Sequence, residues 1–512
     1  MKYSSKSAHL TLFLQKRLLR ILMFASSIVV GLQSRSQQLV LRGDYPDPSV
    51  IKIGAKYWAS ATTSNWMPAY PLLYSEDLVN WKNAGSVFPT LPEWADYYFW
   101  APEISYENGK VYIYYSAHKK GGNLCVGIAS ADKPEGPYTD HGALICEAAG
   151  SIDAFPMRDE KGKLHLIWKE DGNSIKQPTP IWIQELNEQR TALIGEKKEL
   201  FRNDADWEAN LVEGVSMMRK GDYFYAFYAA AACCGSGCTY KTGIARAKSL
   251  MGPWEKYARN PVLENEGEWK CPGHGTPVEK NGRYYFMYHA YDTIGSVYTG
   301  RQGLIREFNF TSDGWIEFMK EEKQDMQLPH GKNEDEFKES RLSNEWQWSV
   351  FQNFNRTLSG GKLAVSALPQ SSGAMLAKKT YHTNYTAVVE IDRKKSSAEA
   401  GLALIGDEKN LVCASIKGNT LQIVTLNDGN ETVVSSHPLP ARKKAHLSMT
   451  VRNGKDITFS YGRREKDLTP LNTKSIDGTF LPPWDRALRV GILSKGSTTE
   501  KAVFDEFSVR YQ

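Results

Sequence analysis

The sequence is poor in cysteine, with seven in 512 residues, and this excludes a disulfide-stapled miniprotein. After residue 36 no apolar run reaches membrane-spanning length, which excludes a multi-span membrane protein. Glycine (41) and proline (23) are too few for a collagen. Hydrophobic residues make up 41% and charged residues 24%, enough apolar material for real cores and too much for a disordered tail. The length allows two to four domains. Charge of one sign is also scarce: 63 Lys and Arg against 58 Asp and Glu give a net +5. Residues 1–36 hold six of the basic residues and no acidic one, so the remainder carries a net −1. The apparent basicity therefore belongs to the amino terminus, and nothing calls for a nucleic-acid or anionic partner. Aromatics are abundant: 14 Trp, 26 Tyr and 19 Phe, 12% of the chain. That surplus suits β-strands and surfaces that stack against sugars.

Residues 1–36 read as an export signal. Lys2, Lys6, Lys16, Arg17 and Arg20 form the positive region, and Ile21 to Leu32 form a short apolar run. Ser34 and Ser36 are candidate cleavage positions within a polar exit. An amphipathic anchor or a misplaced start codon are the alternatives. Export implies a periplasmic or extracellular location, where cysteines can oxidise. The odd count leaves one unpaired. The stretch Cys233-Cys234-Gly-Ser-Gly-Cys238 lacks a second ligand pair at zinc-site spacing, so structural thiols or a local disulfide are expected there.

A turn followed by an aromatic-rich strand occurs five times: KIGAKYWAS, ENGKVYIYYSA, EKGKLHLIWKE, RKGDYFYAFYAA and KNGRYYFMYHA. The turn glycines are Gly54, Gly109, Gly162, Gly221 and Gly282. A strand hairpin recurring every 53–61 residues predicts the blades of a β-propeller, here five-bladed. A second repeat, seen in YSEDLVNWKNAG, ASADKPEGPYTDHG and ARAKSLMGPWEKY, supports this over a sandwich with accidental spacing.

Polar or aromatic residues precede each turn glycine at a similar phase. They are Asp47 in YPDPS, Trp100 and Glu103 in WAPE, Asp153 in SIDAF, Glu213 in VEGVS and His274 in PGHGT. The first strand of every propeller blade lines the axis, so these positions converge at one end of the channel. Carboxylates gathered there are costly unless function or a cation keeps them. Asp47, Asp153 and Glu213 suit acid/base hydrolysis of a glycosidic bond, in which one carboxyl protonates the leaving oxygen and another deprotonates water. A third raises the acid's proton affinity by like-charge repulsion. Taken singly, Asp47 between prolines and Asp153 equally suit turn positions. His274 suits a core histidine, a metal ligand or a water-mediated metal contact. Glu213, in an apolar strand, has no such idle role.

At these residues the chain resembles glycoside hydrolase family 43. The matching pieces are PDPS, SEDLVNW, WAPE, SIDAF, VEGVS, a Gly-Pro-aromatic hairpin, PGHGT and GRQ, in the family's order over about residues 42–310. The resemblance implies a five-bladed propeller and an inverting enzyme. It implies that Asp47 is the general base, Asp153 the residue that tunes and orients the acid, and Glu213 the general acid. It makes Arg301 a substrate contact and His274 the channel histidine. It implies no required cofactor and allows a structural calcium near the axis, next to His274. Trp66 and Trp100 fall where the family places aromatic walls around a terminal sugar, with blade packing the alternative for both. VEGVS departs from the Pro or His that many members carry just after the Glu-Gly or Glu-Ala pair, which leaves the substrate open.

The composition changes after about residue 325. Short alternating strands such as GLALIGD, LVCASIKG, LQIVTL and HLSMTVRNG predict a β-sandwich. DEFKESRLSNEWQW and FDEFSVRY resemble the concanavalin-like sandwich appended to exo-acting family members, in which a sandwich loop can close one side of the pocket. The expected organisation is a signal peptide over 1–36, a catalytic propeller over 37–325 and a sandwich over 326–512. The resemblance implies an exported, exo-acting enzyme that removes terminal α-L-arabinofuranosyl or β-D-xylosyl residues from plant hemicellulose or pectin side chains. An endo-arabinanase is the enzymatic alternative, and a non-catalytic carbohydrate-binding propeller the alternative of another class.

Overall fold

The computed structural model describes residues 37–320, 332–441 and 443–512. The expected signal peptide and the expected domain boundary near 325 both lie outside the described residues. Almost all ordered structure is strand, and no helix among the described residues is long and apolar enough to cross a membrane.

Five antiparallel sheets form the propeller. The first blade holds Ser49–Ile53, Lys56–Ser60, Ala69–Ser75 and Lys82–Phe88. The second holds Ala95–Glu107, Lys110–Lys119, Leu124–Ala131 and Thr139–Ile145. The third holds Ser151–Arg158, Leu164–Glu170, Ile181–Leu186 and Leu193–Phe201. The fourth holds Val212–Lys220, Tyr223–Ala230, Lys241–Ala247 and Glu255–Lys256. The fifth combines Trp269–Lys280, Arg283–Asp292 and Arg301–Phe310 with the amino-terminal strand Gln37–Leu41. Gln37 pairs with Arg306 and Leu39 with Leu304, so the start of the propeller chain closes the ring against its end.

The repeated hairpin is the innermost pair of strands in each blade. Its turn glycines sit at φ of 58–84°, and a side chain added at any of them would meet nothing within 4 Å. Glycine is needed there for the left-handed backbone of a tight turn, not for space. The aromatic strands that follow fill the gaps between blades. Tyr115 packs with Phe88 and Tyr70 between the first two blades, and Phe227 stacks on Phe286 between the last two. Burying such rings contributes roughly 1.5–3 kcal/mol each, which is where the aromatic surplus goes.

The carboxy-terminal part is a sandwich of a nine-stranded and a six-stranded sheet around one apolar core. A two-stranded ribbon ties it to the propeller: Trp66–Met67 pairs with Trp348–Ser349. Trp66 is only 2% exposed and packs on Met375, Ala377, Ala403 and Ile405 of the sandwich. Six cysteines pair as Cys125–Cys146, Cys233–Cys234 and Cys238–Cys271, and Cys413 is free and buried.

Candidate active site

The innermost strands share a local irregularity where the polar residues sit. Asp47, Ala101, Asp153, Gly214 and His274 all have left-handed backbones, with φ of 52°, 43°, 58°, 62° and 32°. In the second to fifth blades the strand slips register with its neighbour at this point. Such a bulge re-aims side chains that the pleat would otherwise turn into the blade interface. At Gly214 the demand is also steric, since an added side chain would stand 2.8 Å from the His274 ring.

The result is one cavity of about 490 Å³ at the propeller axis, lined among others by Asp47, Trp100, Asp153, Glu213, His274 and Arg301. Six of the seven residues picked out from the sequence therefore meet. The seventh does not: Trp66 does not line the cavity, because its ring is consumed by the junction with the sandwich. Glu103, which shares the phase, also lies off the cavity lining. It is buried and accepts a hydrogen bond from Thr276 Oγ1 at 3.3 Å.

Asp47 is held on both oxygens. Thr62 Oγ1 donates to Oδ2 at 2.6 Å and Arg301 Nη1 to Oδ1 at 3.3 Å. Burial alone would raise its pKa, but the guanidinium and the neighbouring His289 hold it well below the usual carboxylate range. Asp47 is thus an ionised acceptor. Its own amide donates to His289 Nδ1 at 3.0 Å. Burial lowers the His289 pKa to about 4, so the ring is neutral and can accept that bond.

Glu213 is also held on both oxygens. Tyr240 Oη donates to Oε1 at 2.8 Å, and Lys169 Nζ to Oε2 at 2.5 Å. Burial, reinforced by Glu213, raises the Tyr240 pKa well above its ordinary value, so the phenol remains a donor. Asp153 Oδ2 accepts the Gly214 amide at 2.9 Å and so fixes the backbone that carries the acid candidate. Burial pushes the Asp153 pKa up; the His274 ring opposes the rise and Glu213 adds to it. Two carboxyls in one desolvated site cannot both shed their protons cheaply, which is the arrangement an acid catalyst needs.

His274 Nδ1 lies 3.6 Å from Asp47 Oδ1 and 3.8 Å from Asp153 Oδ2. These carboxylates already accept hydrogen bonds from Thr62, Arg301 and the Gly214 amide. Among the described residues no group of three or more His, Cys, Asp and Glu is arranged to hold a metal. The set does not fit the oxygen-rich shell of calcium.

The sandwich supplies the wall that sequence reasoning left unassigned. Asp485 Oδ2 accepts the Trp100 indole N–H at 3.2 Å, and the Asp485 carbonyl accepts Arg301 Nη2 at 2.9 Å. Trp484 meets Trp100 edge to face at 5.7 Å, and Trp100 stacks on Tyr98 at 4.4 Å. Trp484 is 53% exposed, so much of its ring is free for a ligand. The disulfide-linked Cys233 and Cys234 also line the cavity. Sequence reasoning missed Lys169, Asp171, Tyr240, Trp484 and Asp485. Only Lys169 left a signal, as a cation that directly follows the apolar run Leu166, Ile167 and Trp168.

Glu103 gives a stability prediction. Burial raises its pKa from 4.5 to about 8. The stability this confers is complete below the unfolded value of 4.5 and is lost as pH rises through about 8. Glu103→Gln mimics the neutral acid and keeps the oxygen that accepts from Thr276. Urea melts should find the variant equal to wild type near pH 4.5 and more stable by a few kcal/mol at pH 8. Equal midpoints at pH 8 would contradict the assignment.

A propeller whose blades aim carboxyls, an arginine and aromatic walls into one axial cavity has the form of a carbohydrate site furnished with acid and base groups. The chain belongs to glycosyl hydrolases family 43: the family profile matches residues 36–316, and one described as "Beta xylosidase C-terminal Concanavalin A-like domain" matches 334–510. It is 27% identical over 273 residues to a "Xylan 1,3-beta-xylosidase" of Vibrio sp, a match spanning 49% of this chain and 49% of that relative. It is 23% identical over 529 residues to a "Non-reducing end alpha-L-arabinofuranosidase" of Bacteroides ovatus, spanning 92% and 94%. The chain thus spans about half the length of the first relative and nearly all of the second. A solved family 43 protein from Bacillus licheniformis superposes with a TM-score of 0.78 at 23% identity, covering 93% of this chain and 100% of that one. That likeness bears on the fold.

Proposed function

We propose that the protein is an exported, exo-acting, inverting glycoside hydrolase that removes terminal pentose, α-L-arabinofuranosyl or β-D-xylosyl, from plant hemicellulose or pectin side chains. The observation that carries this is the convergence of Asp47, Asp153 and Glu213 on one cavity that Trp484 and Asp485 wall on the sandwich side. In this mechanism Glu213 protonates the leaving oxygen. Asp47, fixed by Thr62 and Arg301, takes a proton from the attacking water. Asp153 holds the acid's backbone through the Gly214 amide. The sandwich wall favours a chain end over an internal linkage, and the names of the Vibrio and Bacteroides relatives carry both sugars. Residues 1–36 and the three disulfides support export.

The test is a panel of aryl pentosides with arabinan, arabinoxylan and xylo-oligosaccharides, read by product chromatography. The expected result is free arabinose or xylose as the first product. Oligosaccharides as the first products would establish endo action, and no hydrolysis of any substrate would overturn the reading.

A further inference from the structure

Lys169 is the one buried cation in contact with the acid candidate among the described residues, and its ammonium is shared. Nζ donates to Glu213 Oε2 at 2.5 Å and to Asp171 Oδ1 at 2.8 Å. The Lys169 side chain is 1% exposed, and those of Asp171 and Glu213 are 12% and 10% exposed. All three line the cavity. Lys169 stands on the second strand of the third blade with its backbone paired to Ile152, next to Asp153. A bare ammonium on the acid's oxygen works against the reaction. It stabilises the carboxylate and so empties Glu213 of the proton that it must deliver. A neighbouring carboxylate on the same ammonium offsets that pull.

We propose that Lys169 and Asp171 are a balanced pair of positioning residues: Lys169 orients Glu213 and stabilises the carboxylate left after proton donation, while Asp171 draws off enough of the charge for the acid to be protonated beforehand. The proposal rests on the reading of Glu213 as the general acid. Burial opposes the charge on Lys169, but Glu213, Asp171 and Asp153 outweigh it and raise its pKa, so the ammonium persists throughout the working range. The other titratable groups that line the same cavity are Tyr240 from the fourth blade, Asp153 from the third, His274 and Arg301 from the fifth, Asp47 from the first, Tyr97, Tyr98 and His118 from the second and Asp485 from the sandwich. Tyr240 donates to the other oxygen of Glu213, so the ammonium that Lys169 shares with Asp171 is the cation bonded at Oε2.

The two partners of one ammonium should give opposite signs. Asp171→Asn is nearly isosteric and orphans no buried charge, because Lys169 keeps Glu213. It should move the alkaline limb of the kcat/KM profile about one pH unit down. Lys169→Met should move the same limb about one unit up. The double variant Lys169→Met/Asp171→Asn, which removes both charges, should lie between the single variants and guards against misfolding of Lys169→Met. Phenyl α-L-arabinofuranoside and phenyl β-D-xyloside are the probes, with the 2,4-dinitrophenyl glycosides as controls whose leaving groups need no proton. On the controls both limb shifts should vanish, with KM within about twofold of wild type. Limbs that stay within 0.2 pH unit of wild type, or that move in the same direction in both single variants, would overturn the proposal (pH steps of roughly this size are resolvable against the expected shift). Glu213→Gln separates this from failure of the parent reading. If it hydrolyses the phenyl glycosides at the wild-type rate, Glu213 is not the acid. If it fails on them but acts on the dinitrophenyl glycosides, the acid stands and the charge pair is judged alone.

Discussion

Asp47→Asn is expected to lower kcat/KM on every substrate by about a thousandfold, within the range that a positioned general base contributes. The substitution keeps the shape of the side chain and the acceptor for Thr62 or Arg301, but removes the negative charge. That charge is what the surroundings are built to hold: Arg301 and Thr62 each bond one oxygen, and the carboxyl is ionised at any working pH. The loss should not depend on the leaving group, because activation of water is needed whichever group departs. Loss of the Arg301 ion pair at a largely buried site should also cost stability, so circular dichroism and a urea midpoint must accompany the kinetics. A folded Asp47→Asn protein that retained more than about a tenth of wild-type turnover would remove Asp47 from the base role.

Glu213→Gln should fail differently. On phenyl glycosides, whose leaving oxygen needs a proton, the expected loss is about a hundred- to ten-thousandfold. On 2,4-dinitrophenyl glycosides the loss should shrink to about tenfold or less, since that leaving group departs unprotonated. The glutamine keeps an acceptor for Tyr240 or Lys169, and Lys169 keeps Asp171. The fold should therefore survive, and the leaving-group dependence is the signature. An equal loss on both substrates would mean that Glu213 serves something other than proton donation.

The propeller was legible in the sequence because its signal is local. Each hairpin needs a left-handed turn residue and an alternating strand, and both lie within ten or so residues of one another. The convergence of Asp47, Asp153, Glu213 and His274 was legible because the hairpin period transmits phase from blade to blade. Phase has a limit, and Glu103 marks it. It lies three residues beyond Trp100 on the same strand, past a register slip, and the slip leaves Trp100 on the cavity and Glu103 off it. Trp66 was misread for a different reason. Its ring is claimed by the sandwich through pairing with Trp348–Ser349, nearly 300 residues away in the chain. The same distance hid Asp485, which meets Trp100 across a separation of 385 residues. Lys169 and Glu213 lie 44 residues apart on neighbouring blades, and no pattern within either strand announces the contact.

The central claim is a single displacement, with Asp47 activating water on one face of the sugar and Glu213 protonating the leaving oxygen on the other. The most direct measurement is proton NMR of the released pentose in the first minutes of hydrolysis, before mutarotation scrambles the anomers. The account predicts a product of inverted anomeric configuration. A product that retains the substrate's configuration would contradict it, because retention requires a covalent intermediate on a carboxylate that here is assigned to water.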